Sequence, residues 1–83
     1  MQEITIRSQI QAFICRELIR DPDYDLDPDE GIITGGLMDS FALAELAVFI
    51  EEAFAVYIPD SDLTVAQMNT LAQIVARVRR DLE

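Results

Sequence analysis

The stretch GGLMDSFALAEL, residues 35–46, determines how the rest of this chain is interpreted. It opens with a glycine pair, passes through Asp39-Ser40 and continues into an apolar segment of strong helix formers. Asp and Ser are favoured at helix starts because their side-chain oxygens accept hydrogen bonds from the free N–H groups of the first turn. The stretch therefore predicts a helix that begins at Asp39 or Ser40, and it raises the question of whether the serine has a second use.

The helix predicted from this stretch runs to about Ala55 and has two apolar faces. At about 100° of rotation per residue, one set of apolar side chains forms the face expected to meet the core. That face consists of Leu43, Leu46, Ala47, Ile50 and Phe54. Roughly opposite lie Phe41, Ala44 and Val48, with the carboxylates Glu45, Glu51 and Glu52 around them. This second face is either a contact surface for a partner or the ordinary scatter of exposed apolar atoms found on any protein.

An N-terminal helix is predicted from about Glu3 to Leu18. Its apolar residues recur at spacings of three and four, which is typical of a single stripe along a helix. The stripe consists of Ile6, Ile10, Phe13, Ile14 and Leu18. Cys15 lies to one side of it, and the chain has no histidine that could activate the thiol. We therefore interpret Cys15 as an inert, partly packed side chain.

A loop of roughly twenty residues separates the two helices. Pro22 and Pro28 favour extended geometry in the residues before them, and the alternating aspartates of residues 21–29 repel one another. A loop this long in a small domain needs anchors, for which we expect Leu26, Ile32, Ile33 and Leu37. The aspartates also resemble the start of a calcium-binding loop, but no register supplies both the required glycine and the closing glutamate. The pattern therefore favours a solvated acidic loop.

After the second helix, VYIPDSDL at residues 56–63 predicts a turn with one short helical turn. Thr64 or Asn69 is expected to cap a final helix that ends near Leu82. Its apolar face consists of Val65, Met68, Leu71, Ile74, Val75 and Val78. The predicted fold is all-α: a small three- to four-helix bundle with a long loop between helices 1 and 2, in a single domain over residues 1–83.

Charge is unevenly distributed along the chain. The formal net charge is −10, with six arginines, no lysine and no histidine. Residues 21–62 contain twelve acidic side chains and no arginine, and every arginine lies within residues 7–20 or 77–80. Such an acidic surface argues against nucleic acid and anionic membranes as partners and favours a basic protein. The lack of histidine excludes a Ser-His triad, a Cys-His dyad and an ordinary zinc site. This removes most hypotheses of a small enzyme, and we expect no resident metal.

The sequence also bears on location. No apolar run approaches the ~20 residues that span a bilayer, and the N-terminal MQEITIR lacks the apolar region of a signal peptide. A single cysteine cannot form an internal disulfide, which agrees with a reducing compartment. We therefore expect a cytoplasmic protein, and we expect it to be a monomer.

Ser40 has a second physical use besides capping. A phosphodiester on its oxygen would lie against the free N–H groups and the positive dipole end of the helix, both of which favour a phosphate. Gly35 and Gly36 would leave the approach to the hydroxyl uncrowded. The residues alone leave both uses open.

Two segments resemble the acyl and peptidyl carrier proteins: GLMDSFALAEL at residues 36–46 and EEAFAVYIPDSDL at residues 51–63. In that family the serine of an Asp-Ser pair carries 4'-phosphopantetheine, and the protein delivers cargo rather than catalysing a reaction. The resemblance covers essentially the whole chain, including the apolar stripe of the first helix. The later matching positions are Asp39, Ser40, Glu45, Glu51, Glu52, Phe54, Ile58, Pro59 and Asp60.

The resemblance implies roles for individual residues. Ser40 would be the attachment residue, loaded from coenzyme A by a phosphopantetheinyl transferase, and Asp39 would help to position that transferase and its magnesium. Cargo would travel as a thioester on the arm, between an acyl- or aminoacyl-loading ligase and downstream synthase, oxidase or transferase enzymes. These basic partners would contact a face formed by Met38, Phe41, Ala44, Glu45, Val48, Glu51 and Glu52.

Two positions depart from the pattern of fatty-acid carriers, which often have Leu and Asp where this chain has Phe41 and Ala42. We therefore favour a stand-alone carrier in a specialised pathway, of secondary-metabolite, aminoacyl or polyketide type, over a general carrier of fatty-acid synthesis. The alternative from another class is a non-catalytic helical adaptor. It would bind a basic partner through the acidic face and use Ser40 only as a cap.

Overall fold

The structure, a computed structural model, describes residues 2–82, and these residues form helices, turns and loops with no strand. Helix α1 spans Glu3–Phe13, α2 spans Ala42–Phe54, α3 spans Val65–Met68 and α4 spans Leu71–Leu82. Three long helices and one short helix, with a long loop between the first two, confirm the predicted all-α bundle.

Helix α1 continues without a break into a π-helical segment, Ile14–Ile19, in which each hydrogen bond spans one residue more than in an α-helix. The segment ends at Arg20, whose φ of 65° is left-handed. Three members of the predicted stripe are fully buried: Ile6, Ile10 and Ile14. Cys15 follows them in the wide turn and is only 3% exposed. The thiol is therefore packed more deeply than the α-helical pattern predicted.

Helix α2 buries the face that the sequence predicted. Its buried residues are Leu43, Leu46, Ile50 and Phe54, and Ala47 is half-buried beside them. A turn over residues 39–41 leads into the helix, and the Leu43 N–H donates to the Ser40 carbonyl at 3.2 Å. At the other end, Ala55 takes a left-handed φ of 57°, and its N–H donates to the Glu51 carbonyl. The helix is therefore closed at both ends by turns.

Two threonines cap the C-terminal helices. The Thr64 hydroxyl accepts from the Gln67 N–H at 3.3 Å and caps α3. The Thr70 hydroxyl accepts from the Gln73 N–H, and the Gln73 side chain accepts in return from the Thr70 N–H, each at 3.1 Å. This reciprocal pair is a capping box on α4. Thr64 therefore caps the helix that begins at Val65, as one of the two predicted alternatives had it, but this helix ends at Met68. The sequence did not separate α3 from α4, and the final helix is capped by Thr70 rather than by Asn69.

The core is one apolar cluster, and residues 2–82 place no buried polar side chain inside it. Helix α4 packs against α1, and α1 also contacts α2. Arg77 of α4 holds the 3-10 turn Asp60–Asp62 in place, because its Nη2 lies 3.1 Å from the Asp62 Oδ2 and its Nη1 lies 3.1 Å from the Asp81 Oδ2. This ion pair fastens the connection after α2 to the last helix.

The long loop is anchored as predicted. Leu26 and Ile32 are buried in the core, and Ile33 and Leu37 pack half-buried against it. The Ala72 N–H at the start of α4 donates to the Pro28 carbonyl at 2.9 Å. Over residues 2–82, no side chains of His, Cys, Asp and Glu come together in a group that could hold a metal ion. No helix in the same range is long and apolar enough to cross a membrane.

Candidate functional site

Asp39 and Ser40 divide two tasks at the start of α2. The Asp39 Oδ1 accepts a hydrogen bond from the Ala42 N–H at 3.1 Å, so this carboxylate caps the helix. Ser40 is exposed, and its hydroxyl has no hydrogen-bond partner within the part of the chain that the structure describes. Because the neighbouring aspartate already accepts from the Ala42 N–H, the serine oxygen is not needed for this cap.

The segment before Ser40 is hydrogen-bonded to Ile32 and is uncrowded at Gly36. The Ile32 carbonyl accepts from the N–H groups of Leu37 and Met38, at 2.9 and 3.3 Å. Gly36 has a φ of 80°, and a Cβ added there would meet nothing within 4 Å. The expected uncrowded approach is therefore present at Gly36 but not at Gly35, where an added Cβ would overlap the Gly31 carbonyl oxygen.

Met38 was expected on the partner-binding surface, and that prediction was wrong. Its side chain is only 8% exposed and belongs to the core cluster. The backbone hydrogen bond to Ile32 turns this residue inward, and an apolar side chain is stabilised by burial there. Met38 therefore anchors the segment that precedes Asp39-Ser40 and has little surface for a partner to touch.

The remaining predicted contact residues form an exposed face on α2, which we call the docking face. Phe41 and Val48 are 84% and 56% exposed, and Ala44 is exposed between them. The carboxylates around this strip are also exposed: Glu45, Glu51 and Glu52. Large apolar side chains this accessible, rimmed by charges of one sign, are typical of a surface used for binding.

An aromatic cluster that was not predicted from the sequence lies beside the docking face. Phe49 stacks on Phe13 of α1, with ring centroids 4.3 Å apart, and contacts Phe54 edge to face at 6.2 Å. The first two rings line an open hollow of about 280 Å³ with Val48, Glu45 and Glu52. Phe49 lies four residues after Glu45 and three before Glu52, so the helical spacing placed it on the same stripe. The helical spacing therefore indicated the position of Phe49, but the sequence did not indicate that this ring stacks on Phe13 of α1.

A second hollow lies on the other side of Val48. It has a volume of about 240 Å³, and its wall includes Ala44, Tyr57 and Leu63. Val48 lines both hollows and so stands as a ridge between them. The docking face therefore has relief as well as charge, with one exposed valine between two depressions.

A larger open pocket of about 390 Å³ adjoins Ser40, and both neighbours of the serine, Asp39 and Phe41, line it. The other charged side chains of its wall are Glu17, Arg20 and Glu45. Arg20 is the only cation among the lining residues. The pocket therefore places one positive side chain among three carboxylates next to the serine.

Cys15 is not suited to nucleophilic chemistry. Its thiol donates a hydrogen bond to the Tyr24 carbonyl, with 3.6 Å between the sulfur and the oxygen. Burial raises the pKa of Cys15 above its ordinary value, and the nearby charge of Asp21 raises it further. Because the thiolate is the reactive form, this cysteine is unreactive at neutral pH, as its position beside the helical stripe predicted.

An unbonded serine hydroxyl at a helix start, beside an exposed acidic and apolar face, defines a small helical carrier. A family model described as a phosphopantetheine attachment site matches residues 8–78. The chain belongs to this family of phosphopantetheine-binding carrier proteins, whose members are non-catalytic and hold 4'-phosphopantetheine covalently.

The chain is similar to a D-alanyl carrier protein of Lactobacillus helveticus (strain DPC 4571), with 38% identity over 50 residues. The aligned region covers 60% of this chain and 63% of the relative, so the chain matches less than two thirds of that protein's length.

The local structure fits the group that the family carries. A hydroxyl that makes no hydrogen bond can become a phosphoester without loss of any contact in the fold. The open space beside Gly36 leaves room for approach. The Arg20 guanidinium in the adjoining pocket offers a charge opposite to that of a phosphate.

Proposed function

We propose that this chain is an acyl or aminoacyl carrier whose 4'-phosphopantetheine is attached to Ser40. The observation that carries the proposal is the exposed, unbonded hydroxyl of Ser40 next to an aspartate that already caps the helix. An adaptor that needed Ser40 only as a cap would place the capping hydrogen bond on the serine, whereas here Asp39 makes it.

The chain's own residues have defined tasks in this function. When a phosphopantetheinyl transferase acts on it, the Ser40 oxygen loses its proton and forms a phosphodiester with the pantetheine-bearing phosphate of coenzyme A. The pyrophosphate bond of coenzyme A breaks, and 3',5'-ADP leaves. Asp39 keeps the first turn of α2 closed and presents a carboxylate to that transferase. The bound arm supplies a terminal thiol that holds cargo as a thioester, and the protein contributes no acid or base to that chemistry.

The docking face gives partner enzymes a surface to recognise. Partners with basic surfaces would contact Glu45, Glu51 and Glu52, while their apolar side chains cover Phe41 and Val48. Exposed charges mainly speed the encounter and add little to the lifetime of a complex, which suits a carrier that visits several enzymes in turn. We infer that the partners are a loading ligase and a downstream enzyme that removes the cargo.

For the cargo we propose an aminoacyl group. The support is the similarity to a protein named D-alanyl carrier protein, together with Phe41 and Ala42, which depart from the fatty-acid pattern. A dedicated carrier of amino acids explains both features.

The attachment is tested by intact-mass spectrometry after incubation with coenzyme A, magnesium and a broad-specificity transferase. We expect wild type to gain one phosphopantetheine and Ser40→Ala to gain none. Ser61→Ala is the matched control, because Ser61 is also exposed and lies outside the docking face, and it should load normally. Absence of added mass on wild type, or equal addition to Ser40→Ala, contradicts the proposal.

The cargo is tested by isolating the loaded protein from its native host and measuring its mass before and after hydroxylamine treatment, which cleaves thioesters. An aminoacyl group should appear as a mass lost on treatment and recovered as the amino acid hydroxamate. Recovery of a fatty acyl hydroxamate instead would show a carrier of fatty-acid synthesis.

A further inference from the structure

Asn69, at the corner between α3 and α4, fastens the long loop through both its backbone and its side chain. The Asn69 carbonyl accepts from the Ile32 N–H at 2.8 Å, and its Oδ1 accepts from the N–H groups of Ile33 and Thr34 at 3.0 and 3.1 Å. Its Nδ2 donates to the Thr34 Oγ1 at 3.1 Å. One residue thus satisfies three consecutive backbone N–H groups that lie 35 to 37 positions away in the chain.

These contacts continue directly to the residue pair at the start of α2. The peptide group between Ile32 and Ile33, whose N–H donates to the Asn69 Oδ1, also contains the Ile32 carbonyl, which accepts from the N–H groups of Leu37 and Met38. Ile32 and Met38 are both buried, so their side chains fix the two ends of this hydrogen-bonded turn. Met38 is followed at once by Asp39 and Ser40. Asn69 is therefore connected to the segment that precedes Ser40 through a single peptide group.

The backbone N–H of Asn69 is itself hydrogen-bonded to α4. The Gln73 Oε1 accepts from the Asn69 N–H at 2.9 Å, and this glutamine belongs to the capping box of α4. On the other side, a Cβ added to Gly31 would overlap the Thr34 Oγ1 and lie 3.0 Å from the Asn69 Nδ2. The loop therefore has a glycine where it passes closest to the asparagine side chain, which leaves Asn69 little freedom to shift.

We propose that Asn69 is a positioning residue for the modification of Ser40: it holds residues 32–38 so that the transferase meets the Asp39-Ser40 pair in one conformation. The inference rests on the proposed function, in which Ser40 accepts the arm. Asn69 does not touch the reacting oxygen. It acts through the peptide group between Ile32 and Ile33 and through the buried Met38.

The physical consequence of removing the Asn69 side chain is a looser segment before Ser40. Asn69→Ala deletes two hydrogen bonds to backbone N–H groups and one to Thr34. At the net strength of ordinary hydrogen bonds, the loss of the two bonds to backbone N–H groups alone increases the population of the detached loop roughly five- to hundredfold. The proposal requires that the detached loop become the major form in Asn69→Ala. An enzyme that binds only the attached form then has its KM for the carrier raised by the inverse of the attached fraction, while kcat is unchanged.

The first test is amide hydrogen exchange measured residue by residue. In Asn69→Ala the amides of Leu37 and Met38 should exchange roughly five- to hundredfold faster than in wild type. Thr70→Ala is the matched control, because it removes the α4 cap and lowers global stability but leaves the loop contacts in place. It should raise exchange at Leu37 and Met38 no more than at the buried amides of α2.

Asn69→Asp is the conservative variant. A carboxylate keeps both acceptor contacts to Ile33 and Thr34, and the Thr34 hydroxyl can donate to it in place of the lost Nδ2 bond. Exchange at Leu37 and Met38 should therefore return close to the wild-type rate. If Asn69→Ala does not fold, Thr34→Ala removes a single contact and should raise the same two exchange rates by a smaller factor.

The second test is the rate of Ser40 loading by the transferase at varied carrier concentration. Asn69→Ala should raise KM with kcat unchanged, Asn69→Asp should restore KM, and Thr70→Ala should leave both constants at wild-type values. Wild-type exchange at Leu37 and Met38 in Asn69→Ala, or faster exchange with an unchanged KM, overturns the positioning role. Loading of Ser40→Ala would instead refute Ser40 as the acceptor while the exchange result still stood, so the two failures are distinguishable.

Discussion

Replacing Asp39 separates the cap from the charge at the start of α2. The Asp39 Oδ1 accepts the Ala42 N–H at 3.1 Å, and loss of such a cap typically costs about 1 kcal/mol. A carboxylate at a helix N-terminus adds about 0.3–1 kcal/mol through the helix dipole. Asp39→Ala should therefore lower the free energy of unfolding by about 1–2 kcal/mol. Asp39→Asn, which keeps the acceptor oxygen, should lose only the dipole contribution.

Urea denaturation followed by far-UV circular dichroism measures both variants, and thermal melts check them at about 4–8 °C for each kcal/mol in a domain of this size. Asp25→Ala is the control, since this exposed loop aspartate should change stability by less than about 0.5 kcal/mol. We also expect Asp39→Asn to load phosphopantetheine far more slowly than wild type although it remains folded. Equal stability of Asp39→Ala and wild type, or equal losses in the Ala and Asn variants, would refute the division between cap and charge.

Three further predictions concern the surface and the titrating groups. Glu45→Lys and Glu51→Lys should each lower the kcat/KM of a basic partner severalfold at low salt and less at high salt. Asp25→Lys makes the same change in net charge and should not lower kcat/KM. Equal losses in all three variants would rule out a localised face. In the loaded protein, iodoacetamide at neutral pH should alkylate the arm thiol at least about tenfold faster than Cys15, because burial raises the pKa of the Cys15 thiol. Peptide mapping measures the order of labelling, and labelling of Cys15 first would contradict its burial. The Tyr24 hydroxyl donates a hydrogen bond to the Glu30 carboxylate, which raises the pKa of Tyr24 above its ordinary value. The unfolded chain therefore loses this proton first, and the free energy of unfolding should fall as pH rises above about 10. Urea denaturation at several pH values should show that this part of the alkaline loss vanishes in Tyr24→Phe; an unchanged profile would show that the hydrogen bond has no such effect.

The helices were predictable because their stabilisation is repetitive. Ile6 and Ile10, like Leu43 and Leu46, recur at helical spacing and are buried as that spacing requires. The loop anchors Leu26 and Ile32 were also predictable, since apolar residues in an acidic loop have few places to go other than the core.

The missed features depend on contacts between distant parts of the chain. The burial of Met38 follows from a hydrogen bond to Ile32, and no period in the sequence encodes it. Asn69 was expected as a cap because polar residues near helix starts often are, yet its oxygen bonds a loop 35 positions away. Wide π-helical hydrogen bonding after Phe13 likewise leaves no mark in the spacing of apolar residues. Ser40 as the attachment residue and the docking face as the partner surface remain predictions for the experiments above.

Val48 stands between two hollows, and this shape limits how a partner can approach α2. A smooth apolar stripe would let a bound enzyme roll about the helix axis, because every rotation would cover a similar area. A ridge flanked by two depressions resists such rolling, since side chains seated on both sides must leave their hollows before the helix can turn. A partner bound there could not rotate about the axis of α2. The direction in which a chain attached at residue 40 leaves the protein surface would therefore be fixed relative to that partner's active site.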